Sequence, residues 1–183
     1  MNMHLYNKYQ IDFLTADLIE WRAESLLGYA IRACTKQNVN HTSGIILSSI
    51  VGSSIIRRDI WEADERGFHA THLSQAIKNY SGEVYWLQLK SEYNWKRVQI
   101  AEIAQSLEGR PYDYWSLIKN IRRPVKLSDR TIFCSEAWHI ALLRAGLLSE
   151  DFNDGLALRP GEFGRTNLYK EPVLIYTSKW QRN

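Results

Sequence analysis

The stretch Asn40-His41-Thr42-Ser43-Gly44-Ile45-Ile46-Leu47-Ser48-Ser49-Ile50-Val51 decides how this chain is read. Residues 44–51 are rich in β-branched and aliphatic side chains and predict a strand. Gly52-Ser53-Ser54 follows as a turn, and residues 55–63 read as the returning strand. Together they predict a β-hairpin or two neighbouring antiparallel strands. Two residues in it ask for an explanation. His41 directly precedes the apolar run with Gly44 close behind, and Glu62 sits inside an otherwise apolar strand, Ile60-Trp61-Glu62-Ala63. A carboxylate placed there is costly unless it is paired. Pairing with His41 across adjacent strands resolves that cost, although His41 read alone is equally a surface histidine at a strand edge. Asp64 and Glu65 are nearby rivals, but they lie at the turn before Gly67 and read as solvated.

Downstream, residues 68–73 form a weaker strand closed by a short helix over 74–79, and 83–89 alternate as a strand. Residues 95–107 place Val98, Ile100, Ile103, Ala104 and Leu107 at helical spacing, with Gly109 positioned to end the helix. Tyr112-Asp113-Tyr114-Trp115 then leads into another short helix. Residues 135–148 are the clearest helix, with Ala137, Ile140, Ala141, Leu143 and Leu147 as the expected buried stripe. A last strand spans 172–176. Upstream, residues 18–34 read as a helix through the spacing of Leu26, Leu27, Ala30 and Ile31. The order predicts an α+β fold rather than a parallel βαβ array.

At 183 residues the chain is expected to form one domain over 1–183. Apolar residues make up 45% and charged residues 23%, an ordinary balance for a soluble globular protein. The formal charge of +3 is mild, and Arg122, Arg123, Lys126 and Arg130 read as a solvated loop, so no nucleic-acid partner is expected. Residues 1–13, interrupted by His4, Asn7, Lys8 and Gln10, do not resemble a signal peptide, and no apolar run approaches a membrane span. Cys34 and Cys134 show neither CxxC nor zinc-ligand spacing, so no metal or cofactor is expected. Two free thiols in a reducing cytoplasm are the expected state. Seven Trp and ten Tyr are many for this size, and they serve either a groove or packing.

Phe133-Cys134-Ser135-Glu136 opens the strongest helix. A thiol there meets unpaired N–H groups and the positive end of the helix dipole, which favour the reactive thiolate. The backbone N–H groups of Cys134 and Ser135 suit an oxyanion. A buried cysteine acting as a small apolar residue is the competing reading. Among His4, His41, His69, His72 and His139, the base best placed by local sequence is His41. His139 lies on the same helix but well round from the thiol, and His69 and His72 occupy a polar segment.

Six motifs in order resemble a known family. They are Asp17-Leu18-Ile19, His41-Thr42-Ser43-Gly44, Glu62-Ala63, Gly109-Arg110-Pro111-Tyr112-Asp113, Cys134-Ser135-Glu136 running to Ala145-Gly146-Leu147, and Arg159-Pro160-Gly161-Glu162-Phe163 with Thr166. The chain thereby resembles the permuted branch of the NlpC-type, papain-like superfamily, which includes the bacterial YiiX-like proteins. It differs in having the glycine three places after the histidine, with Ser43 in its usual position, Glu162 for Asp and Thr166 for Ser. The resemblance implies a circularly permuted papain-like fold, with the helix of Cys134 on a small antiparallel sheet. It also implies Cys134 as nucleophile, His41 as base and Glu62 as orienting acid. Amide hydrolysis of peptide-like substrates is the first expectation. An acyl-lipid hydrolase or transferase, with Tyr112 and Trp115 lining a substrate pocket, is the second. A non-catalytic binding protein that retains the fold is the reading from another class.

Overall fold

The computed structural model describes residues 3–51, 55–112 and 131–181. The expected turn at 52–54, the helix following Trp115 and the basic cluster Arg122 to Arg130 lie outside the described residues.

The expected hairpin is present as β2 (His41–Val51) and β3 (Ile55–Asp64). These belong to a six-stranded antiparallel sheet with β1 (Leu18–Ala23), β4 (Gly67–His72), β5 (Gly82–Leu87) and β6 (Val173–Thr177), in the order β4-β3-β2-β1-β5-β6. The helices are α1 (His4–Tyr9), α2 (Leu26–Thr35), α3 (Leu73–Lys78), α4 (Arg97–Gln105) and α5 (Cys134–Arg144). The fold is α+β, as expected.

One expectation fails at the start of the chain. Residues 18–23 are a strand, and the helix begins only at Leu26, where the Ser25 hydroxyl accepts the Gly28 N–H at 3.0 Å. β1 is paired on both edges and covered on both faces. Its residues do alternate, Ile19, Trp21 and Ala23 against Glu20 and Arg22, but the run is short and leads directly into the helical spacing that starts at Leu26, which masks the two-residue period. The supposed helical stripe is also not buried as a unit, since Leu26 is 91% exposed and Ala30 is exposed while Ile31 is buried.

Side chains alternate across β1. Leu18 enters one core with Trp61, Phe68, Ile100, Ala137 and Trp138, beneath α4 and α5. Ile19 and Trp21 enter the other with Tyr6, Phe13, Ile60, Leu73 and Trp86, beneath α1 and α3. Helix α5 is buried all round from Cys134 to Leu142, whereas Leu143 and Leu147, assigned to its stripe, are only half-buried. The cause is a third layer: residues after Leu156 wrap the outer side of α5, with Ser135 Oγ donating to Leu158 O at 2.7 Å and Leu158 N–H donating to His139 Nδ1 at 3.1 Å. A helix covered on every side needs no polar face.

Candidate active site

The site is built where the hairpin opens. Pairing between β2 and β3 runs from Gly44↔Trp61 to Val51↔Ile55, so it stops short of His41 and Glu62. Helix α5 packs at this split. Trp138 donates its Nε1–H to Trp61 O at 3.3 Å, and its ring lies against Gly44 so closely that a Cβ there would come within 2.3 Å. Gly44 is therefore the space that admits α5, which also fixes where Cys134, one turn earlier, meets β2. Ser43, in the position where the resembled family carries glycine, points to the opposite face and accepts the Trp21 Nε1–H at 2.8 Å.

Across the split, His41 Nε2 lies 2.9 Å from Glu62 Oε2, with the two side chains 21% and 14% exposed. The ring also shares a hydrogen bond with the Cys134 sulfur. With Nε2 engaged by Glu62, Nδ1 is the nitrogen left for the thiol. Cys134 is the first residue of α5 and is 2% exposed. Burial pushes its thiol up, but the His41 charge and hydrogen bond, with the backbone N–H groups of Thr42 and Ser135, outweigh burial and hold it below the ordinary thiol value. Burial likewise disfavours charge on His41. The Cys134 thiolate and then Glu62 outweigh it, and the imidazole is held well above its ordinary value. The pair favours thiolate and imidazolium.

A cleft of about 340 Å³ opens on this arrangement, lined by Asn40, His41, Glu62, Tyr80, Glu65 and Tyr112. Cys134 does not line it. Tyr112 reaches the site through a parallel bridge to Ile132, two residues before Cys134. Trp115, expected beside it, lies outside the described residues. Tyr80 was not anticipated: its ring meets Trp21 edge-on at 4.9 Å, and its buried hydroxyl has no hydrogen-bond partner among the described residues. Thr42 was also missed, because it contributes a backbone N–H, which no residue type announces. Ser135 N–H donates to the sulfur, so Cys134 N–H, which has no intrahelical partner, is the donor left over at the helix start.

The other histidines stand apart. His139 is buried and held near pKa 4 by burial, so it is neutral. His69 Nδ1 donates to Gly67 O at 3.0 Å, and His72 pairs with Asp59. Asp64, the rival acid, is bound by Arg66 at 2.7 Å. Cys34 is exposed and free.

No family model matches the chain, and no curated protein does. Among solved structures it is similar to the metalloprotein YiiX from Escherichia coli O157:H7, at a TM-score of 0.55 and 21% identity, over 73% of this chain and 66% of that one. The likeness is one of fold, and this chain spans just under two thirds of that protein's length. Among the described residues, no three or more His, Cys, Asp or Glu side chains are grouped to hold a metal ion. No described helix is long and apolar enough to cross a membrane.

Proposed function

We propose that this protein is a cysteine hydrolase of amide bonds, built on a permuted papain-like arrangement, with Cys134 as nucleophile, His41 as base and Glu62 as orienting acid. The observation that carries the reading is the unbroken hydrogen-bonded series from the α5 N-terminal sulfur through the His41 ring to Glu62. The Cys134 thiolate attacks the carbonyl carbon, and the oxyanion that forms takes the Cys134 N–H. His41 then passes its proton to the leaving amine as the C–N bond breaks, giving a thioester. Water, deprotonated by His41, attacks the thioester, and the carboxylic acid leaves as the thiolate reforms. Glu62 holds the ring orientation and supports the imidazolium. Asn40, Glu62 and Glu65 set hydrogen-bonding groups along a cleft otherwise lined by Ala23, Ile31 and Tyr80, which suits a peptide-like amide with both polar and apolar parts.

Two measurements test this. Iodoacetamide at pH 6, where an ordinary thiol is under about 1% ionised, is expected to label Cys134 ahead of exposed Cys34, with the preference lost in His41→Ala. Labelling of Cys34 first would mean that the buried sulfur is inert and would overturn the proposal in favour of a binding protein. A panel of peptide amides and acyl-lipid esters, run with the wild type and Cys134→Ala, then assigns the substrate class. Cleavage of amides by the wild type alone is expected.

A further inference from the structure

A second cavity, of about 270 Å³, lies between β1 and the loop after Leu158, lined by Glu20, Arg22, Gln37, Val39, Tyr85 and Pro172. Its unusual member is Glu20, in the middle of the central strand and 4% exposed. Oε1 accepts the Gly161 N–H at 2.8 Å, and Oε2 has no hydrogen-bond partner among the described residues. Arg22, the cation in the cavity wall, is bound instead to Glu83 at 3.1 Å, and Glu83 also takes the Tyr85 hydroxyl at 2.7 Å and Lys179 at 3.2 Å. Burial raises the Glu20 pKa to about 7 against the single opposing Gly161 N–H. A largely buried mid-sheet carboxyl, held by a single N–H and with its second oxygen open to a cavity, is placed to accept a hydrogen bond from whatever enters that cavity.

The walls indicate what that ligand is. Val39 and Pro172 are aliphatic, and Tyr85 offers an aromatic ring beside the acid. Gly161, at φ +85°, presses its backbone so close to Gln37 and Val39 that a Cβ would lie 3.0 Å from Gln37 Oε1. We propose that this cavity is a subsite for an alkylammonium group, with the Glu20 carboxylate as its counter-ion and the Tyr85 ring as its wall. Its position ties it to Cys134. Glu20 and Thr42 are register partners across β1 and β2, and Thr42 N–H donates to the sulfur. Leu158, at the start of the loop, accepts the Ser135 hydroxyl. The wall of the cavity is thus continuous with residues that hold the sulfur. Assigning the ammonium to the substrate rests on the hydrolase reading; its capture by Glu20 does not.

The test separates the two. Cys134→Ala protein, which has no nucleophile, is titrated with n-butylammonium and with neutral n-butanol, read by saturation-transfer NMR. Butylammonium is expected to bind, and n-butanol to bind at least about tenfold more weakly, as loss of a charge-assisted contact requires. Glu20→Gln in the same background is expected to lose at least about tenfold in butylammonium affinity. Pro172→Trp, which fills the cavity mouth and leaves Glu20 in place, is expected to abolish binding and decides the matter if Glu20→Gln does not fold. Equal affinities for amine and alcohol, binding unaffected by Pro172→Trp, or no binding by folded protein overturns the subsite. Butylammonium binding with no amide hydrolysis by the wild type leaves the subsite standing and removes the hydrolase. Hydrolysis without butylammonium binding does the reverse.

Discussion

His41 spends one ring nitrogen on Glu62 and the other on Cys134, so its charge depends on both neighbours. The ion pair sets two limbs of a pH profile. Cys134 is held below its ordinary value, so thiolate appears as pH rises through that lowered value. His41 is held above its ordinary value, so the imidazolium is lost only as pH rises through the raised one. Activity is therefore expected to rise on the acid side, hold through neutrality and fall on the alkaline side, read as kcat/KM against pH. Glu62→Gln removes one of the charges that raise His41, and is expected to move the alkaline limb to lower pH. His41→Ala is expected to lower kcat/KM by about 10²–10⁴-fold. The three side chains of this series were legible in sequence, because a thiol at a helix start and an acid in an apolar strand are both anomalies there. Thr42, Tyr80 and Glu20 were not. Thr42 acts through its backbone, Tyr80 is one tyrosine among ten, and Glu20 lay in a segment read as helix.

The contact between α5 and the hairpin turns on a single missing methyl group. Gly44 has no Cβ where the Trp138 ring passes. Gly44→Ala is expected to destabilise the protein by about 1–3 kcal/mol through overpacking, measured by urea unfolding. Trp138→Phe, which shortens the ring, is expected to make the double variant less destabilised than the sum of the two, since the residues share one contact. Elements with an exposed or half-exposed face were readable from their period: the hairpin, β4, β5, α4 and β6 lie where the spacing put them. β1 was not, since its short alternation, Ile19 and Trp21 against Glu20 and Arg22, runs directly into the helical spacing that begins at Leu26. The stripe expected for α5 holds at Ala137, Ile140 and Ala141, but the wrapping residues after Leu156 bury the other faces of the helix as well, while Leu143 and Leu147 are only half-buried.

At the scale of the whole molecule, the start of β1, the end of β5 and the start of α4 are tied by a buried ion pair. Asp17 accepts Arg97 at 2.7 Å, Trp86 Nε1–H at 2.9 Å, and the Leu14 and Leu89 N–H groups at 3.0 Å. Arg97 in turn donates to Thr15 O, Leu89 O and Asn94 Oδ1. Burial still raises the Asp17 carboxyl above its usual range despite Arg97 and those N–H groups, so the acid depends on every partner it has. Arg97→Met strands that charge and is expected to cost about 3–5 kcal/mol in urea unfolding, with most of it recovered in the Asp17→Leu, Arg97→Met double variant. Asp17 stands out in sequence only as the head of the Asp17-Leu18-Ile19 motif and Arg97 not at all, because the network forms between segments far apart along the chain.

The acidity of Cys134 is borrowed from His41 and from the Thr42 amide, both contributed by a strand that is synthesised long before the helix that needs them. A chain still emerging from the ribosome, or one in which α5 has come undocked, carries only an ordinary thiol with a pKa of about 8.5, mostly protonated at neutral pH. Nucleophilic power therefore arrives with the final docking event and vanishes when that docking is lost. The protein is chemically quiet until it is whole, and its immature or damaged copies pose little hazard to the thiol-sensitive molecules around them.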